Sequence, residues 1–113
     1  MTTIYHNPRC SKSRMTLALL EERNVDVNII EYLKTPLDMD QIDTLIDQLS
    51  IEPENLIRPK EAEYKEAGLS KTSSRAEIIA AIAQYPKLLE RPIVVHNGKA
   101  KIGRPPENVL ELF

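Results

Sequence analysis

The sequence predicts an α/β fold: a four-stranded mixed sheet flanked by helices, with a helical insertion between a β-α-β half and a β-β-α half. Three observations carry this. The β-branched run "TTIY" meets Asn7-Pro8, gives way to a helical pattern from Ser11, and is followed by a second strand-like run, "VDVNIIEYL". The middle of the chain carries helix signals only. The run "PIVVHNGKAKIG" places two β-rich segments around Asn97-Gly98, a type I′ hairpin signature. At 113 residues there is room for one core, and a single domain over 1–113 is expected.

Each element has its own reason. The first helix runs from Ser11 to near Asn24, with Met15, Ala18 and Leu19 on one stripe. The second strand covers about Val27 to Tyr32. Asp38 and Gln41 form a capping box, and Leu37 and Ile42 occupy the two staple positions. Ile42, Leu45, Ile46 and Leu49 then make an amphipathic stripe. "SIEPENLIRP" is a connector with one helical turn, and "KEAEYKEAG" a short helix closed by Gly68. Ser74 and Glu77 cap a helix through Ile78, Ile79 and Ile82 that stops before Pro86. Pro105-Pro106 open a last short helix, since proline suits the first helical position. The β-α-β half gives a parallel pair through a right-handed crossover, and the hairpin an antiparallel pair. This is the element order of the thioredoxin fold, and order alone gives no function.

Composition narrows the classes. Hydrophobic residues are 42% and charged residues 28%, ordinary for a globular protein. A net charge of −2 argues against a general nucleic-acid binder. No apolar run is long enough to span a bilayer, and no charged-then-apolar signal pattern stands at the N-terminus, so no membrane partner and a cytoplasmic location are expected. One cysteine makes no internal disulfide, and with two histidines it makes no cysteine-rich zinc site. No metal and no bound cofactor are expected, and the protein is expected to be a monomer. Any redox cycle through this thiol borrows a second thiol from another molecule.

That cysteine stands in "HNPRCSKSR", between the first strand and the first helix, with His6, Arg9, Lys12 and Arg14 around it. Unpaired backbone N–H groups and the helix dipole at such a position favour a thiolate, and nearby cations act the same way. Ser13 is in the first turn, from where its hydroxyl is able to face the sulfur. His6 either hydrogen-bonds within the loop or adds charge. The bland alternative is an inert packing cysteine. Three of the seven arginines directly precede proline: Arg58, Arg91 and Arg104. A residue before proline is pushed towards extended backbone. Arg91 precedes the third strand and Arg104 follows the fourth, so both lie at one end of the hairpin. Guanidinium forks suit tetrahedral oxyanions, and three unrelated surface arginines are the competing reading. The other basic and aromatic residues read as surface or packing; Lys12, Lys60, Lys65, Lys99 and Lys101 are expected to be solvated and His96 exposed.

"IYHNPRCSKSR", "LIRPKEAEYKEAGL", "LLERPIVV" and "IGRPPENVLEL" together resemble the glutaredoxin-dependent arsenate reductase family, in the family's order and spacing, over essentially the whole chain. The resemblance implies a thioredoxin-like fold with an inserted helical segment. It implies Cys10 as catalytic cysteine, His6 as the histidine that helps keep the thiol ionised, and Ser13 as the serine of the following turn. It implies Arg58, Arg91 and Arg104 as an oxyanion-binding triad, and a cis bond before Pro92. Arsenate is the implied substrate, glutathione the co-substrate and glutaredoxin the partner that resolves the mixed disulfide. The chain ends soon after the last motif, without the C-terminal extension of plasmid-type members, and Met15 stands where those members often carry asparagine.

Two other readings compete. A glutathione-dependent thiol reductase acting on mixed disulfides is consistent with the monothiol arrangement Cys10-Ser11-Lys12-Ser13. Some relatives are polymerase-binding regulators that sense oxidation through C-x-x-C; here Ser13 replaces the second cysteine, so that switch is impossible, while a binding role without it stays open.

Overall fold

The computed structural model describes all residues, 1–113. The chain forms two compact units, one made of 1–35 with 91–113, the other of 36–90.

The first unit holds the sheet. Strands β1 (Thr2–His6), β2 (Val27–Glu31), β3 (Ile93–His96) and β4 (Lys99–Ile102) lie in the order β2-β1-β3-β4. β1 pairs parallel with β2 and antiparallel with β3, and β3 pairs antiparallel with β4. With helix α1 (Ser11–Glu22) as the crossover, this is the thioredoxin-like arrangement. The hairpin turn has positive φ at both Asn97 (50°) and Gly98 (81°), as a type I′ turn requires. The terminal segment Pro106–Leu112 is helical as expected, but a 3₁₀ helix. β2 ends at Glu31, one residue short of the predicted Tyr32, which is buried just beyond it.

Side chains alternate along a strand, so Thr2, Ile4 and His6 share the inner face of β1. Ile4 is opposite Val94, and both pack with Leu20 and Val109 into the core. α1 ends at Glu22; Asn24 takes the left-handed conformation (φ 59°), and the Val25 N–H closes onto the Leu20 carbonyl at 3.0 Å.

The predicted stripe of α1 is corrected. Met15 and Ala18 face solvent, and the buried positions are Ser13, Thr16 and Leu20, with Leu17 packed against the core. Apolar residues occur on most sides of this helix, so periodicity did not single out one face. The sheet selects a face whose first two residues are small and polar. His96 is likewise not exposed: it is half-buried, its Nδ1 2.7 Å from Thr2 Oγ1 and its ring 4.4 Å from that of Phe113. Lys12 is also half-buried, whereas Lys60, Lys65, Lys99 and Lys101 are exposed.

The second unit is helical: α2 (Met39–Leu49), a 3₁₀ turn (Pro53–Leu56), α3 (Ala62–Glu66), α4 (Arg75–Gln84) and a 3₁₀ turn (Pro86–Leu88). Both predicted capping boxes form. Asp38 accepts from the Gln41 N–H at 2.8 Å while Gln41 accepts from the Asp38 N–H, and Ser74 and Glu77 do the same. Ile42, Leu45, Ile46 and Leu49 are buried, as are Ile78, Ile79, Ala81 and Ile82. Arg75 ties α4 to α2 by donating to Asp43 at 2.7 Å and Asp47 at 3.0 Å. Gly68, with φ of 71°, closes α3 as expected.

Candidate active site

Cys10 is the N-cap of α1, half-buried, with extended backbone (φ −94°, ψ 123°). Its carbonyl accepts the Arg14 N–H at 3.0 Å, the first helical bond, while its own N–H donates to the Asn7 carbonyl at 3.0 Å. The loop Asn7-Pro8-Arg9 is thus a closed turn that delivers the thiol to the helix start. Asn7 Oδ1 accepts the Arg9 N–H at 3.0 Å, and Arg14 Nη1 donates to the Pro8 carbonyl at 2.9 Å. Arg14 therefore braces the loop.

The cation that reaches the sulfur comes from the other end of the sequence. Arg104 Nη2 lies 3.7 Å from Cys10 Sγ, and Arg104 Nε donates to the Arg91 carbonyl at 2.8 Å. The Arg104 carbonyl accepts from Asn108 Nδ2 at 3.0 Å. One edge of the guanidinium is held by backbone, which fixes the direction of the plane. The Arg104 side chain thus meets the Arg91 backbone at one end of the hairpin. The Arg91–Pro92 peptide bond is cis, as the resemblance implies, and so is Arg104–Pro105.

Arg58 belongs to the helical unit. Its backbone N–H donates to the Leu88 carbonyl at 2.8 Å, and its guanidinium lies 3.5 Å from Glu61 and 3.9 Å from Glu90. Two carboxylates share that cation.

His6 takes the first of its two expected roles, a hydrogen bond, whereas the Ser13 hydroxyl is engaged by His6 and the loop. Ser13 Oγ accepts the Asn7 N–H at 3.0 Å and sits 2.7 Å from His6 Nδ1; Ser13 is fully buried and His6 is 6% exposed. The serine hydroxyl thus joins strand end, loop and helix. Burial pushes the His6 imidazole below its ordinary value, with Arg14 reinforcing and the Glu31 charge opposing. A histidine kept neutral does not supply the positive charge offered as one of its two roles; it hydrogen-bonds, the other. Period two put His6 on the inner face of β1, and the inward stripe of α1 put Ser13 above it.

Two residues escaped the sequence reading. Thr16 is fully buried and donates to the Lys12 carbonyl at 2.8 Å. Gly103 packs against it so closely that a Cβ there would lie 2.5 Å from Thr16 Oγ1 and 2.8 Å from Pro92 Cγ. Its N–H donates to the Pro92 carbonyl at 2.9 Å. The approach brings Arg104, the next residue, down onto the start of α1. The available signal was a glycine at the end of a strand run, "KIGRPP", which marks close backbone approach. No group of three or more His, Cys, Asp or Glu side chains is placed to hold a metal, and no helix is long and apolar enough to cross a membrane.

Chemically, a thiol at a helix start with a guanidinium 3.7 Å from its sulfur is able to serve as a nucleophile beside a bound anion. A family model described as the ArsC family matches residues 5–112. The chain belongs to the ArsC family. Relatives of this ArsC chain include an uncharacterized protein, YfgD, from Escherichia coli K12, 52% identical over 96% of this chain and 93% of that protein. Another is an arsenate reductase from Neisseria meningitidis, 45% identical over 94% of this chain and 92% of that protein. Among solved structures, an arsenate reductase from Vibrio cholerae superposes with a TM-score of 0.95 at 48% identity, covering 99% of this chain and 97% of that one.

Proposed function

We propose that this ArsC-family chain reduces arsenate to arsenite, with Cys10 as nucleophile, glutathione as second thiol and glutaredoxin as the protein that regenerates Cys10. The observation that carries the reading is the 3.7 Å contact of Arg104 Nη2 with Cys10 Sγ at the N-cap of α1. A fixed cation beside the sulfur supports the reading that an oxyanion is bound and attacked there. The arsenate reductases of Neisseria meningitidis and Vibrio cholerae, similar over almost the whole chain, give the substrate class.

The steps balance with one thiol in the chain. The Cys10 thiolate attacks arsenic, an As–S bond forms, and one arsenate oxygen takes up protons and leaves as water. Glutathione thiolate then attacks the adduct. Two electrons pass to arsenic, Cys10 and glutathione end as a mixed disulfide, and arsenite departs. Overall, arsenic acid and two thiols give arsenous acid, one disulfide and one water. A glutaredoxin thiolate attacks the glutathione sulfur and releases Cys10. Arg104 and Arg91 stabilise the oxyanion; His6 and Ser13 hold the loop–helix junction that aims the sulfur.

The test is arsenite formation by the purified chain with glutathione and glutaredoxin, each omitted in turn. Turnover that needs both thiol donors supports the reading. Reduction of glutathione mixed disulfides without arsenite formation overturns it in favour of a thiol reductase. Arg91→Lys and Arg104→Lys should raise the arsenate KM about tenfold or more, because lysine lacks the planar fork. Arg58→Lys, assayed alongside, tests the third arginine that the resemblance implies.

A further inference from the structure

A concave site borders the Cys10 loop. A cavity of about 290 Å³ is lined by the loop residues Pro8 and Arg9 and by Glu31, Leu33 and Lys34 from the end of β2 and the turn after it. Ligand pockets begin at about 300 Å³, so it suits the head of a small molecule. The lining mixes charges. Lys34 Nζ lies 3.4 Å from Glu31 Oε1, Arg9 is exposed on the facing loop, and Leu33 adds an exposed apolar wall. Backbone bonds hold the turn in shape: the Lys34 and Thr35 N–H groups both donate to the Glu31 carbonyl, at 3.0 and 2.9 Å. Two cations and a carboxylate around one small cavity match an α-amino-acid head group, which carries a carboxylate and an ammonium on one carbon.

We propose that this cavity binds the γ-glutamyl head of glutathione. The inference rests on glutathione being the second thiol, as proposed above. Arg9 and Lys34 receive the α-carboxylate, Glu31 receives the α-ammonium, and Leu33 packs on the methylenes. Arg9 is joined to Cys10, so their Cα atoms are about 3.8 Å apart. The extended tripeptide spans roughly 10 Å. A head group seated beside Arg9 therefore keeps the glutathione sulfur within reach of the adduct on the next residue. The site assigns to Lys34 and Glu31, which the family motifs do not contain, the choice of thiol donor.

The experiment uses S-methylglutathione, which has no thiol, titrated into the full chain and followed by amide NMR. Shifts should concentrate at Arg9, Glu31, Leu33 and Lys34. Lys34→Gln and Glu31→Gln should each weaken binding about two- to fivefold, the range of solvent-exposed ion pairs. S-methylcysteinylglycine, lacking the head group, should bind wild type and variants alike. In turnover, the same variants should raise the glutathione KM by a similar factor and leave the arsenate KM unchanged. Shifts confined to other regions, or equal affinity in wild type and variants, overturn the assignment. If wild type forms no arsenite yet these amides shift, the reductase reading falls and the site stands. If arsenite forms and the glutathione KM is the same in both variants, the site falls and the reductase reading stands.

Discussion

The helical unit, 36–90, and the sheet unit, 1–35 with 91–113, are packed on different terms. In the helical unit the buried stripes of α2 and α4 are purely apolar, and each helix starts with a full capping box. In the sheet unit, the helix that faces the sheet buries Ser13 and Thr16 ahead of Leu20, above a buried histidine and a glycine with no room for a methyl group. Apolar stripes mark where stability is made. The departure from them marks where polar side chains are held in fixed directions beside a thiol. Hydrogen bonds satisfy those buried groups, which would otherwise carry a penalty of a few kcal/mol each.

The contrast can be broken from either side. The largest effect is expected at the nucleophile: Cys10→Ser should abolish arsenite formation, while thermal unfolding stays within about 1 °C of wild type because no packing is lost. Retained turnover in that variant would end the account of the sheet unit. Gly103→Ala comes next. The added methyl group meets Thr16 and Pro92, so kcat/KM should fall about a hundredfold as Arg104 is displaced from the sulfur. The double variant Gly103→Ala with Thr16→Ala, which removes both the Oγ1 and the Cγ2 that crowd the new methyl group, should recover part of that loss. A single variant as active as wild type would show that close packing there is idle.

Apolar truncation in the helical unit should act on stability first. Leu45→Ala and Ile46→Ala, both at 1% exposure, should each cost about 2–5 kcal/mol in denaturant unfolding. The capping residues should cost less: Ser74→Ala about 1 kcal/mol, read from the same unfolding curves. The smallest effect is a pH dependence. His6 has its folded value lowered by burial, so the unfolded chain binds its proton more readily. Its contribution to stability is full above the ordinary value near 6.5 and is lost as pH falls through the folded value. Denaturant midpoints from pH 7.5 to pH 5 should decline, and the decline should be shallower in His6→Gln. Equal slopes would place the titrating group elsewhere.

The legible parts of the fold were those with local causes. Asp38 with Gln41, Ser74 with Glu77, Asn97-Gly98 and Gly68 each announce a cap or turn through a few neighbouring residues, and each forms. The stripe of α2 was legible because only one of its faces is apolar. α1 was not, because Met15, Leu17, Ala18, Leu19 and Leu20 leave the choice of face to the sheet. At the site, Cys10 at the helix start and the meeting of the Arg104 side chain with the Arg91 backbone followed from the motif and from hairpin geometry. The engagement of Ser13 with His6 and Asn7, and the tight seat of Gly103 on Thr16, are contacts between residues distant in the chain, with no local signature.

On the proposed mechanism, Arg104 governs the reactivity of the Cys10 sulfur. Its most direct test is the rate of iodoacetamide alkylation of Cys10 at pH 7 and low salt, compared between wild type and Arg104→Gln. Loss of a cation placed 3.7 Å from the sulfur should slow the reaction about tenfold, with the fold unchanged by circular dichroism. Equal rates in the two proteins would show that Arg104 does not act on the sulfur.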